Sequence, residues 1–358
     1  MKIIHLISTI CRGGAETQLL TLVREQVAQK HDVSIFFLKG EPELINEFLA
    51  AGAKVRFDLH DKNFFHQIWL FRNAVRFESC LIHAHLPKSE LVASLSKYRN
   101  KLVISRHNAE TFFPGSPAIV SKLLSKWVSW RSDGCICISQ AVKNYLDTNG
   151  ELISSRPVWI VHYGFNSTFR AVKRVSVSEW EKVVTIGTVS RLVPQKDLPT
   201  LLKAFKHLLD RNIDLSLLIV GKGVEEKNLQ SLAGDLNILD KIQWIEKTED
   251  VYLNLSTMSV FCLTSLYEGF GLVLLEAMQS KVPIVAAKNS AIVEVLGDQY
   301  PFLFETSNVA DLASKIEWLL NPVKRQVALE YLEKRLSLFS PVSMEIKITR
   351  VYEEILKV

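Results

Sequence analysis

Short runs rich in Ile and Val alternate with longer amphipathic stretches along this chain, and the pattern runs through twice. The short runs are apolar throughout rather than alternating in polarity. Strands buried on both faces read this way, and helices packed on both sides of a parallel sheet supply that cover. In the first half KIIHLIS precedes the helical AETQLLTLVREQVAQ, and DVSIFFL precedes ELINEFLAAG with Gly at its end. CLIHAH, KLVISRH and GCICISQ then read as strands. After residue 180 the pattern restarts with VVTIGTVS and runs through DLPTLLKAFKHLLD, LSLLIVG, KIQWI, VFCLTS, GLVLLEAMQ, PIVAA and ADLASKIEWLL. The expectation is an α/β protein of two doubly wound, Rossmann-like domains, residues 1–165 and 182–340. The polar, basic FNSTFRAVKRVSVSEWE is the expected linker, and an amphipathic helix over 341–358 could cross back to the first domain. Ligands of open parallel sheets bind beyond the carboxyl ends of the strands, so two such domains facing each other predict a ligand in the cleft between them.

A length of 358 residues suits two domains that each bury a core. With 48% hydrophobic and 23% charged residues, the composition excludes disordered, collagenous and coiled-coil classes. The five cysteines form an odd set without a C-x-x-C pair, which predicts neither a disulfide framework nor a zinc ribbon and fits a reducing, cytoplasmic setting. MKIIHLISTI is too short to span a bilayer and runs directly into Arg12 without a small-residue cleavage site.

The net charge of +5 is too mild to predict a nucleic-acid partner. Its distribution is uneven, with 21 Lys and Arg against 14 Asp and Glu in residues 1–170. That excess could concentrate an acidic partner such as an anionic membrane surface. AIVSKLLSKWVSWRSD, where Lys122, Lys126 and Arg131 interleave with Leu123, Leu124, Trp127 and Trp130, is a candidate interfacial helix; the alternative is a core-facing helix with solvated lysines.

The strongest chemical signal is SLYEGFGLVLLEAMQ. Glu268 lies just before a Gly-containing turn, and Glu276 interrupts an apolar helical run where a carboxylate needs a partner. Eight residues of helix rise about 12 Å, so the two carboxylates address different parts of a ligand and make a poor acid–base pair. Gly269, Phe270 and Gly271 expose backbone N–H groups at a helix start, which suits an anion or sugar oxygens. In VVTIGTVSRLVPQKDLP, Arg191 and Lys196 bracket a strand-to-helix loop and can together neutralise charge on a departing diphosphate. Gly13 and Gly14 permit close ligand approach between the first strand and helix. Gly221 and Gly223 follow a strand, but Glu226 stands where a dinucleotide fingerprint needs its third Gly. His85 and His107, with Asn108 and Asn166, are candidates for one rim of the first domain. The histidines would allow zinc by residue type, but no H-x-x-x-H or Cys partner accompanies them. The sequence has no D-x-D, so a metal-bridged nucleotide is not indicated, and neither metal nor cofactor is expected.

Taken in order, GGAE, HAH, ISQAV, YGFN, SR with Lys five residues later, VGKG and EGFGLVLLEAM span almost the whole chain. This ordered set resembles retaining glycosyltransferase family 4 (group 1), whose members have the GT-B architecture. The resemblance implies a metal-independent hexosyltransferase, cytoplasmic or peripheral at the inner membrane face. It would move a sugar from a nucleotide-diphosphate donor to a saccharide or lipid-linked acceptor in cell-envelope polysaccharide or lipopolysaccharide synthesis. It implies catalytic or leaving-group roles for His85, Arg191, Lys196 and Glu268. Donor contacts would come from Gly13, Gly14, Gly221, Gly223, Gly269, Phe270, Gly271, Leu272 and Glu276, the last at the ribose. The acceptor would lie against the first domain near His107, Asn108 and Asn166. Retention in the family is usually attributed to a same-face displacement in which the leaving diphosphate helps deprotonate the acceptor. Three features depart from the family pattern: Asp197 and Lys281 stand where Gly is frequent, and SAIVEVLGDQYPFLF keeps Glu294 but lacks the usual Gly before its apolar pair. A nucleotide-sugar epimerase and a non-catalytic nucleotide-sugar or glycan-binding protein are the alternatives on the same architecture.

Overall fold

The structure is a computed structural model, and it describes residues 1–165, 184–246 and 250–357. It divides into two compact units, residues 1–166 with 339–358 and residues 167–338. Most of the expected linker, and the candidate acceptor residue Asn166, lie outside the described residues.

In the first unit the elements run β1 (Lys2–Ile7), α1 (Gly14–Ala28), β2 (Asp32–Phe37), α2 (Ile45–Ala50), β3 (Lys54–Arg56), α3 (Phe64–Val75) and β4 (Leu81–His85). They continue with α4 (Pro87–Ser96), β5 (Lys101–Arg106), α5 (Ala118–Arg131), β6 (Gly134–Cys137), α6 (Gln140–Thr148) and β7 (Val158–Ile160). All strands pair in parallel, in the order β3-β2-β1-β4-β5-β6-β7. Alternation along β2 sends Ile35 and Phe37 toward α1 and α2 and sends Phe36 to the opposite face, edge-on to Phe71 of α3. The run GCICISQ is strand only to Cys137, because Ser139 accepts from the Val142 N–H and caps α6.

The second unit comprises β8 (Val184–Val189), α7 (Leu198–Asp210), β9 (Leu215–Val220), α8 (Glu226–Asp235), β10 (Ile242–Ile245), α9 (Val251–Ser256) and β11 (Val260–Leu263). After these come α10 (Leu272–Gln279), β12 (Ile284–Ala287), α11 (Ser290–Leu296), β13 (Leu303–Phe304), α12 (Val309–Leu320) and α13 (Pro322–Leu336). Its strands are also parallel, ordered β10-β9-β8-β11-β12-β13. The last helix, α14 (Pro341–Lys357), belongs to the first unit, where it packs on α1. Its buried Tyr352 hydroxyl lies 2.6 Å from His83 Nδ1 in β4.

Both positions that depart from the family's glycines keep a left-handed backbone. Asp197 has φ +45° and Lys281 φ +55°. Lys281 follows α10 as the C′ residue of a Schellman motif, in which its N–H donates to Met278 and the Val282 N–H to Ala277. Asp197 is held by Thr200 and Ser307, whose hydroxyls both donate to Oδ2. All five cysteines are free, and four of them are buried. No described helix is long and apolar enough to cross a membrane.

Candidate active site

Each sheet has one place where the chain's winding reverses, between β1 and β4 in the first and between β8 and β11 in the second. Connections leave such adjacent strands toward opposite sides and open a crevice beyond their carboxyl ends. The candidate residues gather at these two points.

In the second unit, the segment after β8 carries Arg191 and then a 3-10 turn, Pro194–Lys196. The segment after β11 carries Thr264 to Gly271, and hydrogen bonds stitch the two together. The Leu266 N–H donates to the Gln195 carbonyl, the Thr264 hydroxyl to the Lys196 carbonyl, and Gln195 Nε2 to the Tyr267 carbonyl. Within this frame Lys196 Nζ lies 2.6 Å from Glu268 Oε1, and the same oxygen accepts from Ser265 Oγ at 2.6 Å. Glu268 is 7% exposed, so this ion pair is largely withdrawn from water, whereas Arg191 on the same loop is exposed. Gly271, at φ +86°, turns the chain into α10, with Gly269 and the buried Phe270 before it and Leu272 at the first helical position. Glu276 is half-buried one turn further along α10, and burial pushes its carboxyl up to about 7.

Gly221 and Gly223 have a structural reason in this arrangement. A Cβ on Gly221 would sit 1.9 Å from the Ser190 carbonyl oxygen, and one on Gly223 would sit 2.1 Å from that of Leu192. The bare backbone after β9 therefore seats the Arg191 loop, fixed by Leu192 N–H to Lys222 C=O and Glu225 N–H to Leu192 C=O bonds.

In the first unit α1 starts at the switch point, with Gly13 as its N-cap. The Glu16 carboxylate folds back over that glycine, its Oε2 lying 2.5 Å from where a Cβ would be, while Oε1 accepts from Thr9 Oγ1 at 2.6 Å. Gly13 thus makes room for a carboxylate at the helix start, which Glu16 occupies here. Across the sheet His5, His83 and His85 share one face, because H-x-H in a strand directs both imidazoles the same way. Their ring nitrogens lie within 4.8 Å of one another. Gln26 Oε1 accepts from His5 Nε2 at 2.8 Å, leaving His5 Nδ1 to accept from His85 Nε2 at 3.0 Å. His85 Nδ1 then accepts from His107 Nε2 at 3.3 Å, and His107 Nδ1 accepts from the Tyr163 hydroxyl. Tyr352 and Ser105 take the two nitrogens of His83. Every imidazole in this accounting is neutral, in keeping with burial, which lowers all four: His5 to about 4, His107 to about 3, and His83 and His85 well below the ordinary range.

Residues 12–169 match Glycosyltransferase Family 4, and residues 170–334 match Glycosyl transferases group 1. The chain belongs to this glycosyltransferase family. Among its relatives, an uncharacterized glycosyltransferase of Haemophilus influenzae is 37% identical over 139 residues, 38% of this chain and 39% of that one. A capsular polysaccharide biosynthesis glycosyltransferase of Staphylococcus aureus is 22% identical over 73% of this chain and 71% of its own. The structure of Anabaena HepE in complex with UDP-glucose superposes with a TM-score of 0.82 at 18% identity, covering 99% of this chain and 100% of that one. That likeness shows the fold, two Rossmann-like domains of GT-B type.

Within the glycosyltransferase, Lys196 and Glu268 are in direct contact, and Arg191, Gly221 and Gly223 share the loop system that holds them. Glu276 and the Gly269–Leu272 turn follow on the same connection and its helix. In the first unit His85 and His107 are bonded, while Asn108 is exposed and donates to Glu110 Oε1 at 2.7 Å. His85 is 3% exposed with both nitrogens occupied, so a ligand reaches its ring only by exchanging one of those bonds. The sequence reading quoted GGAE without giving Glu16 a role, although an acidic residue in the first turn of a helix was the available signal. It grouped His83 with His85 but missed His5 as the hydrogen-bond partner of His85, since that pairing joins β1 to β4, strands far apart in sequence.

Proposed function

We propose that this glycosyltransferase is a retaining, metal-independent hexosyltransferase that transfers a sugar from a nucleoside-diphosphate donor to a saccharide or lipid-linked acceptor in cell-envelope polysaccharide assembly. The Lys196–Glu268 ion pair carries the reading. A largely buried anion paired with a half-buried cation offers complementary charge to a single ligand bearing phosphates at one end and hydroxyls at the other. Lys196 and Arg191 take the diphosphate and meet the charge that grows on it as the glycosidic bond breaks. Glu268 accepts from donor-sugar hydroxyls and Glu276 from the ribose. The backbone of the Gly269–Leu272 turn approaches the donor at the start of α10, and Gly14, next to the Gly13 that Glu16 covers, approaches the phosphates.

The acceptor is taken by the first unit around His85, His107 and Asn108, with transfer on the same face as the departing diphosphate. With Arg191 and Lys196 assigned to the leaving group and no D-x-D in the sequence, the reading is charge neutralisation without a bridging metal. The UDP-glucose bound by HepE supports the donor class, and the capsular relative supports the pathway class.

We place the enzyme in the cytoplasm, peripheral to an anionic membrane surface. Helix α5 buries Ser121, Ser125, Val128 and Ser129, half-buries Leu124 and Trp127, and turns Ile119, Leu123 and Trp130 outward beside Lys122 and Lys126. Three of its large apolar side chains therefore face away from the core. α4 packs between α5 and α3, and α3 adds exposed Phe65, Trp69, Arg72 and Arg76 on one helical stripe. Aromatic side chains with interspersed cations suit a bilayer interface.

Incubating the pure protein with a panel of nucleotide sugars, with and without saccharide acceptors, tests the chemistry by nucleotide release and product anomer. Acceptor-dependent release with a retained anomer is expected. A changed sugar without any acceptor would indicate an epimerase, and binding without turnover a non-catalytic protein.

A further inference from the structure

On the α4 face of the first sheet, beside the histidine network, lies a pocket of about 190 Å³ lined by Leu86, Glu90, Arg106, His107, Phe112 and Pro114 among others. Its floor is a buried ionic group. Glu90 is fully buried and Arg106 is 6% exposed, and Arg106 Nε lies 2.9 Å from Glu90 Oε2. The angles do not make a hydrogen bond, and both Glu90 oxygens lack a hydrogen-bond partner among the described residues. Arg106 is also drawn away from Glu90, since its Nη1 donates to Ser125 Oγ and lies 3.8 Å from Glu151 Oε2, while its guanidinium stacks on Phe112. One cation thus faces two buried carboxylates, and only Glu151 has a hydroxyl donor, from Ser125. A buried carboxylate oxygen without a donor is costly, and a ligand that brings one relieves that cost.

We propose that this pocket binds an uncharged sugar ring of the acceptor, one of whose hydroxyls donates to Glu90. The charge balance disfavours an acidic sugar, because two carboxylates already share one guanidinium there. Pro114 and Phe112 offer an apolar wall for a ring face, and His107 connects the pocket directly to His85. Leu86, between β4 and α4 at the pocket's edge, is held at φ +72°, ψ +148°, a conformation rare for any residue with a Cβ. This assignment rests on the proposed transferase reading and specifies which acceptor chemistry its first unit accepts.

The test is saturation-transfer NMR on the full chain with methyl α-D-glucopyranoside, methyl α-D-galactopyranoside, methyl 2-acetamido-2-deoxy-α-D-glucopyranoside and methyl α-D-glucopyranosiduronate. UDP titration of the same samples is run alongside. At least one neutral glycoside is expected to bind, and the glucuronide to bind about tenfold more weakly or not at all. Glu90→Gln removes the anionic acceptor at the floor. Thr111→Trp fills the pocket from its exposed rim without touching the ion pair, which keeps the test decisive if the first variant folds poorly. Both substitutions should reduce the glycoside signal about tenfold while UDP affinity stays within about twofold. Equal binding of the glucuronide, no binding of any neutral glycoside, or a signal indifferent to Thr111→Trp would overturn the pocket assignment. Loss of UDP binding in the unaltered protein would instead overturn the donor reading.

Discussion

Lys196 Nζ and Glu268 Oε1 are 2.6 Å apart at the switch point of the second sheet, on connections that start from neighbouring strands. The two residues are 72 positions apart in sequence, and β8 and β11 bring them together. Removing either partner alone leaves the other charge buried and unpaired, so a single alanine reports both lost ligand contact and a disturbed site. Exposed Arg191 on the same loop has no such complication.

The backbone around this site carries its own test. Lys281 holds a left-handed conformation that glycine adopts without penalty, so Lys281→Gly should stabilise the second unit by about 1 kcal/mol, roughly 2–4 °C in a thermal melt. Gly221→Ala should act in the opposite direction by about 1–3 kcal/mol, because its Cβ would overlap the Ser190 carbonyl. A Gly221→Ala melt matching the unaltered protein contradicts the close packing of these two loops.

Glu276 gives a pH dependence. Burial raises its folded-state carboxyl to about 7 from an ordinary 4.5, so its contribution to stability is complete below 4.5 and is lost as pH rises through 7. A ribose hydroxyl donates best to the ionised form, so affinity for UDP-glucose should strengthen between pH 6 and pH 8 by up to about tenfold. Glu276→Gln should flatten that dependence in a calorimetric titration. An unaltered slope in the variant removes Glu276 from the donor site.

The histidine network makes the first unit acid-sensitive. His5 is lowered to about 4 and His107 to about 3 by burial, so the stability that their neutral forms confer is complete above 6.5 and is lost as pH falls toward 4. For His5 alone the span corresponds to roughly 3 kcal/mol. Glu90 and Glu276 oppose this over part of the range, since both are raised to about 7. Urea midpoints between pH 4 and pH 7 should fall with acid in the unaltered protein and fall less steeply in His5→Gln. Parallel slopes in the two proteins contradict the neutral network.

Much of this was legible in the sequence, and the remainder has identifiable causes. The Ile- and Val-rich runs marked the main strands, and the spacing in SRLVPQK and EGFGLVLLE singled out Arg191, Lys196 and Glu268 before any geometry was known. The three-residue strands β3 and β7 are too short to carry a period. Lys54 and Arg56 also leave β3 polar, as suits an edge. Glu90 and Arg106 passed unnoticed because alternation in β5 sends Ser105 to one face and Arg106 to the other, and only the fold places α4 over the second. In α5 the leucines and tryptophans suggested an apolar face, but the helix buries Val128 with three serines, of which Ser125 accepts from Arg106 and donates to Glu151 and Ser121 accepts from the Phe113 N–H.

The outward apolar side chains of α5 have a direct test. Sedimentation with anionic phosphatidylglycerol vesicles at low and high salt should retain the protein at low salt and release it as salt screens Lys122, Lys126, Arg72 and Arg76. Phosphatidylcholine vesicles should retain little. Trp69→Ala with Trp130→Ala should weaken retention by a few kcal/mol at most, since each ring contributes burial at the interface. Indifference to lipid charge, salt and both substitutions contradicts the membrane surface.

Calorimetric titration with UDP, paired with turnover of the best donor found in the panel, tests the central claim for the unaltered protein, Arg191→Ala and Lys196→Ala. If both cations grip the diphosphate and meet its developing charge, UDP binds saturably. Each substitution then lowers kcat by about 10²–10³-fold, with Arg191→Ala leaving the melt unchanged. UDP affinity and kcat that stay within about twofold in Arg191→Ala and Lys196→Ala alike would contradict it.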